Sequence, residues 1–520
     1  MARRLAPALF CCCMATLGCK VGPDYERPPV VSPANWRGGK APSSEAEAEK
    51  AARESIANIP WWEQFKDEQL RQLIKVALEQ NRDLKIALER IEEARATYGI
   101  SKADLYPHLD LKATGGAINT SDGSLTHLPE GEGTDTKGLA HIGLGFSWEL
   151  DFFGRIRRAS EAARASILAS DEGRRAVAVA LVSDVALAYV DLRGLDRRLA
   201  ITLNTLKSRQ EHVDYARLRF EGHVTHEVDL RQSEAEFHRV QALAYNLEKL
   251  IAHKENELSY LLGRSPGEIL RNRTAEDQPV PPDVPVGLPV SLLESRPDLR
   301  KAEMDLMAST ARIGEAKAAL YPSIKLTGNY GLASTDLSEL LSPASQTWNI
   351  FASILQPIFA GGALRGKVDV RQSQQRQAVY AYERTLLQAL REVEDSLISL
   401  SKIGQQKEQQ HLRTTAETQV VELAELRYRG GVSDYLPVLD AQRSLFNAEI
   451  DEATTASEHT RSLIQLYKAL GGGWPVPKAI ETAKKQGVPA NAPSTPASAS
   501  PASPASPASP ASPASPASSG

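Results

Sequence analysis

The chain has 520 residues, 42% hydrophobic and 24% charged, with 61 Lys and Arg against 65 Asp and Glu. Its net charge of −4 argues against a nucleic-acid binder dominated by phosphate contacts and names no partner. No apolar run of about 18 residues occurs, which argues against a membrane-spanning helix but leaves a β-barrel open. All four cysteines, Cys11, Cys12, Cys13 and Cys19, lie in the first nineteen residues, so the rest of the chain holds no disulfide framework and no Cys-ligated zinc.

At the amino terminus Arg3 and Arg4 precede an apolar run from Leu5 to Leu17, followed by Gly18 and Cys19. This is the basic, apolar, small-residue order of an export signal, too short to span as a helix. The ending Ala15-Thr16-Leu17-Gly18-Cys19 resembles a bacterial lipoprotein box, with Thr16 where Leu is usual. The resemblance implies residues 1–18 as signal peptide and Cys19 as an acylated first residue; Lys20 after it favours the outer membrane. Residues 19–60, rich in Pro, Gly, Ala and Glu, read as a tether that wraps or trails as a loop.

The body is duplicated. Leu78-Glu79-Gln80-Asn81-Arg82-Asp83-Leu84 returns as Leu293-Glu294-Ser295-Arg296-Pro297-Asp298-Leu299, and Leu105-Tyr106-Pro107 as Leu320-Tyr321-Pro322. Leu218 to Thr225 returns as Leu426 to Ser433. Residues 61–270 and 293–474 therefore form two repeats joined by a connector, 271–292, each predicted as helix, two strands, long helix, tight turn, long helix. The strands follow from a period of two over about 108–150 and 323–357. Ala140, Ile142, Leu144, Phe146, Trp148 and Leu150 alternate with His141, Gly143, Gly145, Ser147 and Glu149, one face suiting lipid and the other water. Phe351 and Leu355 break the pattern in the last strand.

Apolar residues at steps of four and three predict coiled-coil seams over about 154–262 and 364–470, among them Leu181, Val185, Ala188, Leu192 and Leu195 in the first repeat. A helix from Arg155 to Phe220 would run roughly 100 Å at 1.5 Å per residue. At the tip turns Gly222 and Gly430 are placed where a helix ends, and Thr225 and Ser433 where the next begins. Residues 475–520, with Pro-Ala-Ser six times over from Pro501 to Ser518, read as a disordered tail.

Chemistry is sparse. His223 and His226 have HxxH spacing but fall at a tight turn with no evident third ligand, and a solvated tip is the better reading. The glycine clusters lack the Lys-Ser/Thr ending of a phosphate loop. No nucleophile, base and orienter come together, so catalysis, a cofactor and a metal site are not expected.

Trp61-Trp62-Glu63-Gln64-Phe65, Asn81-Arg82-Asp83-Leu84, Arg296-Pro297-Asp298-Leu299, Ile313-Gly314, Gln356-Pro357-Ile358-Phe359, Tyr428-Arg429-Gly430-Gly431-Val432 and Val438 to Leu445 together resemble the TolC-type outer-membrane efflux channels. The similarity is greatest to the lipoprotein branch serving resistance-nodulation-division pumps. It departs at Ala360, where Asp is often seen, and at the tail. The resemblance implies a mainly α chain with a membrane β-barrel: a homotrimer whose twelve strands continue into a periplasmic barrel of twelve helices. Four strands cannot close a barrel alone, since single-chain barrels begin at about eight.

The same resemblance implies a passive duct in the outer membrane, lipid-anchored, with a periplasmic adaptor and an inner-membrane transporter as partners. It places a pore gate at Leu436 and Asp440, a ring of three Leu over a ring of three Asp. The adaptor contact falls at the tips, at Gly222, Val224, Thr225, Gly430, Gly431, Val432 and Ser433. An exit duct for type I protein secretion and a pore-less periplasmic coiled-coil scaffold are the alternatives. The scaffold leaves the lipid-suited strand faces without explanation.

Overall fold

The computed structural model describes residues 20–29, 67–119, 136–271 and 296–472. Cys19, most of the tether, most of the connector and the Pro-Ala-Ser tail lie outside them.

The first repeat comprises α1 (Glu68–Gln80), α2 (Arg82–Ala103), β1 (His108–Asn119), β2 (Thr136–Leu150), α3 (Arg155–Glu221) and α4 (Glu227–Leu261). The second comprises α5 (Pro297–Ala318), β3 (Ser323–Ser334), β4 (Gln346–Leu355), α6 (Ala363–Arg429) and α7 (Leu436–Ala469). Both α3 and α6 have 67 residues. Each starts behind a glycine in the left-handed region, Gly154 at φ 79° and Gly362 at φ 82°, so the sharp turn out of the sheet is built the same way twice.

Two polar residues show what the duplicated motif is for. Asn81 caps α2 by accepting from Leu84 N at 3.0 Å, and its Nδ2 donates to Leu261 O at 2.9 Å, closing the far end of α4. In the second repeat Arg296 donates from Nη1 to Ala469 O at 2.7 Å, closing the far end of α7, while Nη2 reaches Glu392 at 2.8 Å. Each repeat thus ties the return of its hairpin to the start of its own short helix, which satisfies carbonyls a helix end otherwise leaves free.

The four strands form one antiparallel sheet in the order β1-β2-β3-β4. Its register aligns Leu111, Leu144, Tyr330 and Trp348 in one lateral row and Leu109, Phe146, Gly328 and Ile350 in the next. All of these fall on one face, because side chains alternate along a strand. Leu109, Leu111, Leu144, Tyr330, Trp348, Ile350 and Ile354 are exposed within the chain. The opposite face carries Asp110, Lys112, His141, Lys325, Asn329, Asn349 and Ser353. Phe351 and Leu355 sit on that polar face, and they do so on edge strand β4. Among the described residues no helix is long and apolar enough to cross a membrane.

The core lies midway along the long helices, where the short ones wrap them. Leu70, Ile74 and Ala77 of α1, Val185, Tyr189 and Leu192 of α3, Leu258 of α4, Val393 of α6 and Ile464 and Tyr467 of α7 form one buried cluster. Gly194 lets α3 and α7 close up: a Cβ there would stand 2.4 Å from Ser457 Oγ. The outer sides of the hairpins stay open, with Val228, Tyr245 and Tyr260 exposed on α4 and Leu412, Val420, Leu423 and Leu426 exposed on α6.

Residues 20–29 are an extended strap lying on α3 and α5. Arg158, whose side chain is 2% exposed, grips it by donating to Val21 O and Gly22 O at 3.3 Å each and pairing with Asp24 at 2.8 Å. Gly22 meets Gly314 of α5 so closely that a Cβ at 22 would stand 2.4 Å from Gly314 Cα.

Candidate functional site

The two hairpin ends are built alike. α3 closes with His223 N donating to Phe220 O at 2.9 Å and Val224 N to Arg219 O at 2.8 Å, and α6 closes with Gly431 N to Tyr428 O and Val432 N to Arg427 O at 3.0 Å each. These are the paired bonds of a Schellman ending. The left-handed residue is Gly431 (φ 69°) in one tip and His223 (φ 54°) in the other. The sequence places Gly222 and Gly430 at the helix ends, and they are the C-caps of α3 and α6; the left-handed conformation falls one position later. Gly222 has an ordinary φ of −78° and Gly430 of −76°.

Thr225 and Ser433 do not begin the next helices. The N-caps are His226 and Tyr435, because one or two more residues of chain are needed to reverse direction. Thr225 Oγ1 instead bonds the Asp229 carboxylate. Val224 and Val432 are exposed at the tips, 65% and 72%. His223 and His226 meet no third ligand: among the described residues no group of three or more His, Cys, Asp or Glu is arranged to hold a metal.

Leu436 and Asp440 lie one turn apart at the start of α7, both exposed, while Val438 and Leu439 between them are buried against Tyr435. Pro437 sits in the first helical turn, where its missing N–H removes nothing. Leu436 and Asp440 thus share the face of α7 that this chain leaves uncovered. The nearest cation to Asp440 is Arg443, at 3.9 Å.

Behind that face is a polar cluster that binds the two hairpins together, and sequence reasoning passed over it. Glu236 of α4 has a fully buried side chain and receives Arg239 at 2.7 Å, Arg443 of α7 at 2.9 Å and, more distantly, Arg209 of α3 at 4.0 Å. Burial alone would raise its carboxyl; the hydrogen bonds from Arg239 and Arg443 outweigh that and hold it below the usual range. Gln442 of α7 accepts from Arg209 through Oε1 and donates through Nε2 to Glu425 of α6 at 3.0 Å. Its Nε2 also lies 3.0 Å from His212 Nε2.

Nearer the tips, Arg219 of α3 donates to Tyr428 Oη of α6 at 2.6 Å and lies over the rings of Tyr428 and Tyr215, 5.4 and 5.7 Å from their centroids. Tyr428 in turn tilts against Tyr435 at 5.5 Å. Glu236 and Ser233 occupy the apolar seam of α4 extended back from Val240, and both are buried. Polar residues on a seam were the signal available in the sequence.

These contacts are mostly polar or charged and lie among buried apolar residues such as Val213, Leu230, Val438 and Phe446 that are not part of the main core cluster, so they act as a latch between the hairpin ends. What the latch does in this structure is join the two hairpins through hydrogen bonds and ion pairs.

The chain matches the family model described as outer membrane efflux protein over residues 73–264 and 288–472. It is 37% identical over 462 residues to the solvent efflux pump outer membrane protein SrpC of Pseudomonas putida, covering 88% of this chain and 96% of that one. To the cation efflux system protein CusC of Escherichia coli it is 34% identical over 472 residues, covering 89% and 98%. Among solved structures, the outer-membrane channel OprN superposes with a TM-score of 0.80 at 30% identity, covering 88% of this chain and all of the other.

Proposed function

From the premise that this chain belongs to the outer membrane efflux protein family, we propose that three copies close into one duct that opens at the latched hairpin ends. The protein is the outer-membrane channel component of an efflux system and not an enzyme. It extends from that membrane into the periplasm and conducts passively, since a strand sheet on two helical hairpins carries no motor.

The observation that carries the trimer is the sheet. One face is apolar and exposed, and β1 and β4 are unpaired edges. Open edges and unpaired backbone are not tolerated in hydrocarbon, so the sheet must be closed by further copies. The strands alternate in direction, which makes β4 of one copy antiparallel to β1 of the next. Three copies give twelve strands, above the roughly eight at which barrels begin. The same closure brings the open side of α4 against the open side of α6 and continues the barrel as twelve helices. With the apolar sheet face turned to lipid, Asp110, Lys112, Asn329 and Asn349 line a wet lumen.

At the far end Leu436 and Asp440 from three chains form the constriction, an apolar ring that resists wetting above a carboxylate ring that attracts cations. The exposed tips, with Val224 and Val432 flanked by Gly222, Thr225, Gly430, Gly431 and Ser433, receive the hairpin of a periplasmic adaptor that connects to an inner-membrane resistance-nodulation-division transporter. Cys19 carries lipid. The cargo is small and toxic: relatives are named for solvents and for cations.

The test is direct. The purified chain should run as a trimer that dissociates on heating, fractionate with the outer membrane, and form conducting channels in planar bilayers. A monomer in the periplasmic fraction would favour the scaffold reading.

A further inference from the structure

Gln442 is the point at which three helices meet, and its orientation is set by its neighbours. Arg209 has only donors to offer, so it must face the amide oxygen. The Glu425 carboxylate must face the amide nitrogen, 3.0 Å away. The same nitrogen points its second hydrogen at His212 Nε2, 3.0 Å away. Nε2 can therefore only accept, and the latch as built requires neutral His212 with its proton on Nδ1.

We propose that His212 is an acid-operated release for the hairpin latch, parting the α6–α7 end from the α3–α4 end when a solvent proton binds its Nε2. The protonated ring sets N–H against N–H, and Gln442 loses its acceptor on α3. Few contacts remain to hold the ends together. The polar ones left are Arg209 to Gln442 Oε1, Arg443 to Glu236, Arg219 to Tyr428 and Arg239 over the Phe446 ring, and Arg443 and Arg239 are reached by solvent.

The charged surroundings agree. Facing His212 are Arg209 and Glu211 of α3, Glu425 and Arg429 of α6, and the Tyr435 ring before α7, 6.2 Å from its own. From α4, Glu236, already engaged by its arginines, and Ser233 meet the neighbouring Tyr435. Burial, and next Arg209, push the imidazole below its ordinary value; Glu425 and Glu211 oppose them. The latched state thus holds its proton less tightly than a parted state in which the ring meets water. Lowering the pH through the free imidazole value of about 6.5 then draws the equilibrium toward parting. The Glu236 carboxylate, held below its usual range by Arg239 and Arg443, changes charge only at lower pH.

The inference rests on the channel reading, and two measurements separate them. In planar bilayers the wild-type conductance should rise at least about threefold from about pH 7.5 to about pH 5.5, and that of His212→Gln, whose amide accepts without titrating, less than about 1.5-fold. Spin labels at V224C and V432C, in protein diluted with unlabelled copies, should show the two tips of one chain moving apart over the same interval. No conductance at any pH overturns the channel reading. A conductance and a label distance that ignore pH, or an unchanged response in His212→Gln, overturn the switch. Should His212→Gln fail to assemble, the label distance in the otherwise native chain decides alone.

Discussion

Arg443 Nε donates to Glu236 at 2.9 Å, joining α7 to α4 across 207 residues of sequence. Arg239 approaches the same carboxylate at 2.7 Å and Arg209 at 4.0 Å, so one acid holds three guanidinium groups from three helices. A buried group shared this way is costly to remove, because the cations it neutralised stay behind.

Glu236→Gln should therefore lower stability by about 2 kcal/mol, less than the roughly 3–5 kcal/mol of a fully buried pair, since Arg239 and Arg443 reach solvent. Denaturant titration of the purified protein measures it. The pH dependence has a definite sign. The folded carboxyl is held low, so its contribution is complete above the ordinary glutamate value and disappears as pH falls through the depressed one. Wild type should lose stability below about pH 4.3, and Glu236→Gln should lose correspondingly less. Equal acid sensitivity in both would remove Glu236 from the account.

Asp440→Ala removes three carboxylates at once if three chains form the constriction. Single-channel conductance should increase and cation preference weaken in planar bilayers. Unchanged conductance and selectivity would place the narrowest point elsewhere.

His223 occupies a backbone conformation that its duplicate, Gly431, adopts without strain. His223→Gly should stabilise the tip by up to about 1 kcal/mol, allowing for the entropy glycine adds to the unfolded chain. Gly431→Ala should do the reverse by a similar amount. Thermal unfolding of the two variants beside wild type decides it.

The pairing between copies can be forecast from the pairing within one. Carrying the β2–β3 register onto the repeats sets Ser353 of β4 opposite Thr114 of the neighbour's β1. S353C with T114C should cross-link chains into covalent oligomers with a short bifunctional thiol reagent, and S353C with L111C, on the opposite face, should not. Cross-linking by the second pair alone would mean a shifted register.

Much of this architecture was legible because repetition supplied a second reading of each element. The 3.5-residue seam in Leu181 to Leu195 and the alternation in Ala140 to Leu150 each carry their period openly, and the structure buries the first and aligns the second. The latch was not legible for a physical reason. Arg209, Glu236 and Gln442 come from helices distant in sequence, and a polar residue on a seam announces only that it needs a partner, not which one. The tip turns fall between: glycine marked the turn correctly, but which residue takes the left-handed conformation depends on where the last helical bond forms, and that is set by packing. Leu436 and Asp440 were placed by family likeness, and the structure adds only that they share an uncovered face.

The strap on α3 and α5 holds the chain from Lys20 onward close to the base of the sheet. Val21 N donates to Phe153 O at 3.3 Å, three residues past the end of β2, and Gly22 is wedged against Gly314. Two residues of chain reach at most about 7 Å. An acyl group on Cys19 would accordingly enter the bilayer beside the end of the sheet that meets the helices, acting less as a leash than as a fixed point of purchase on each copy that sets how deep the sheet sits.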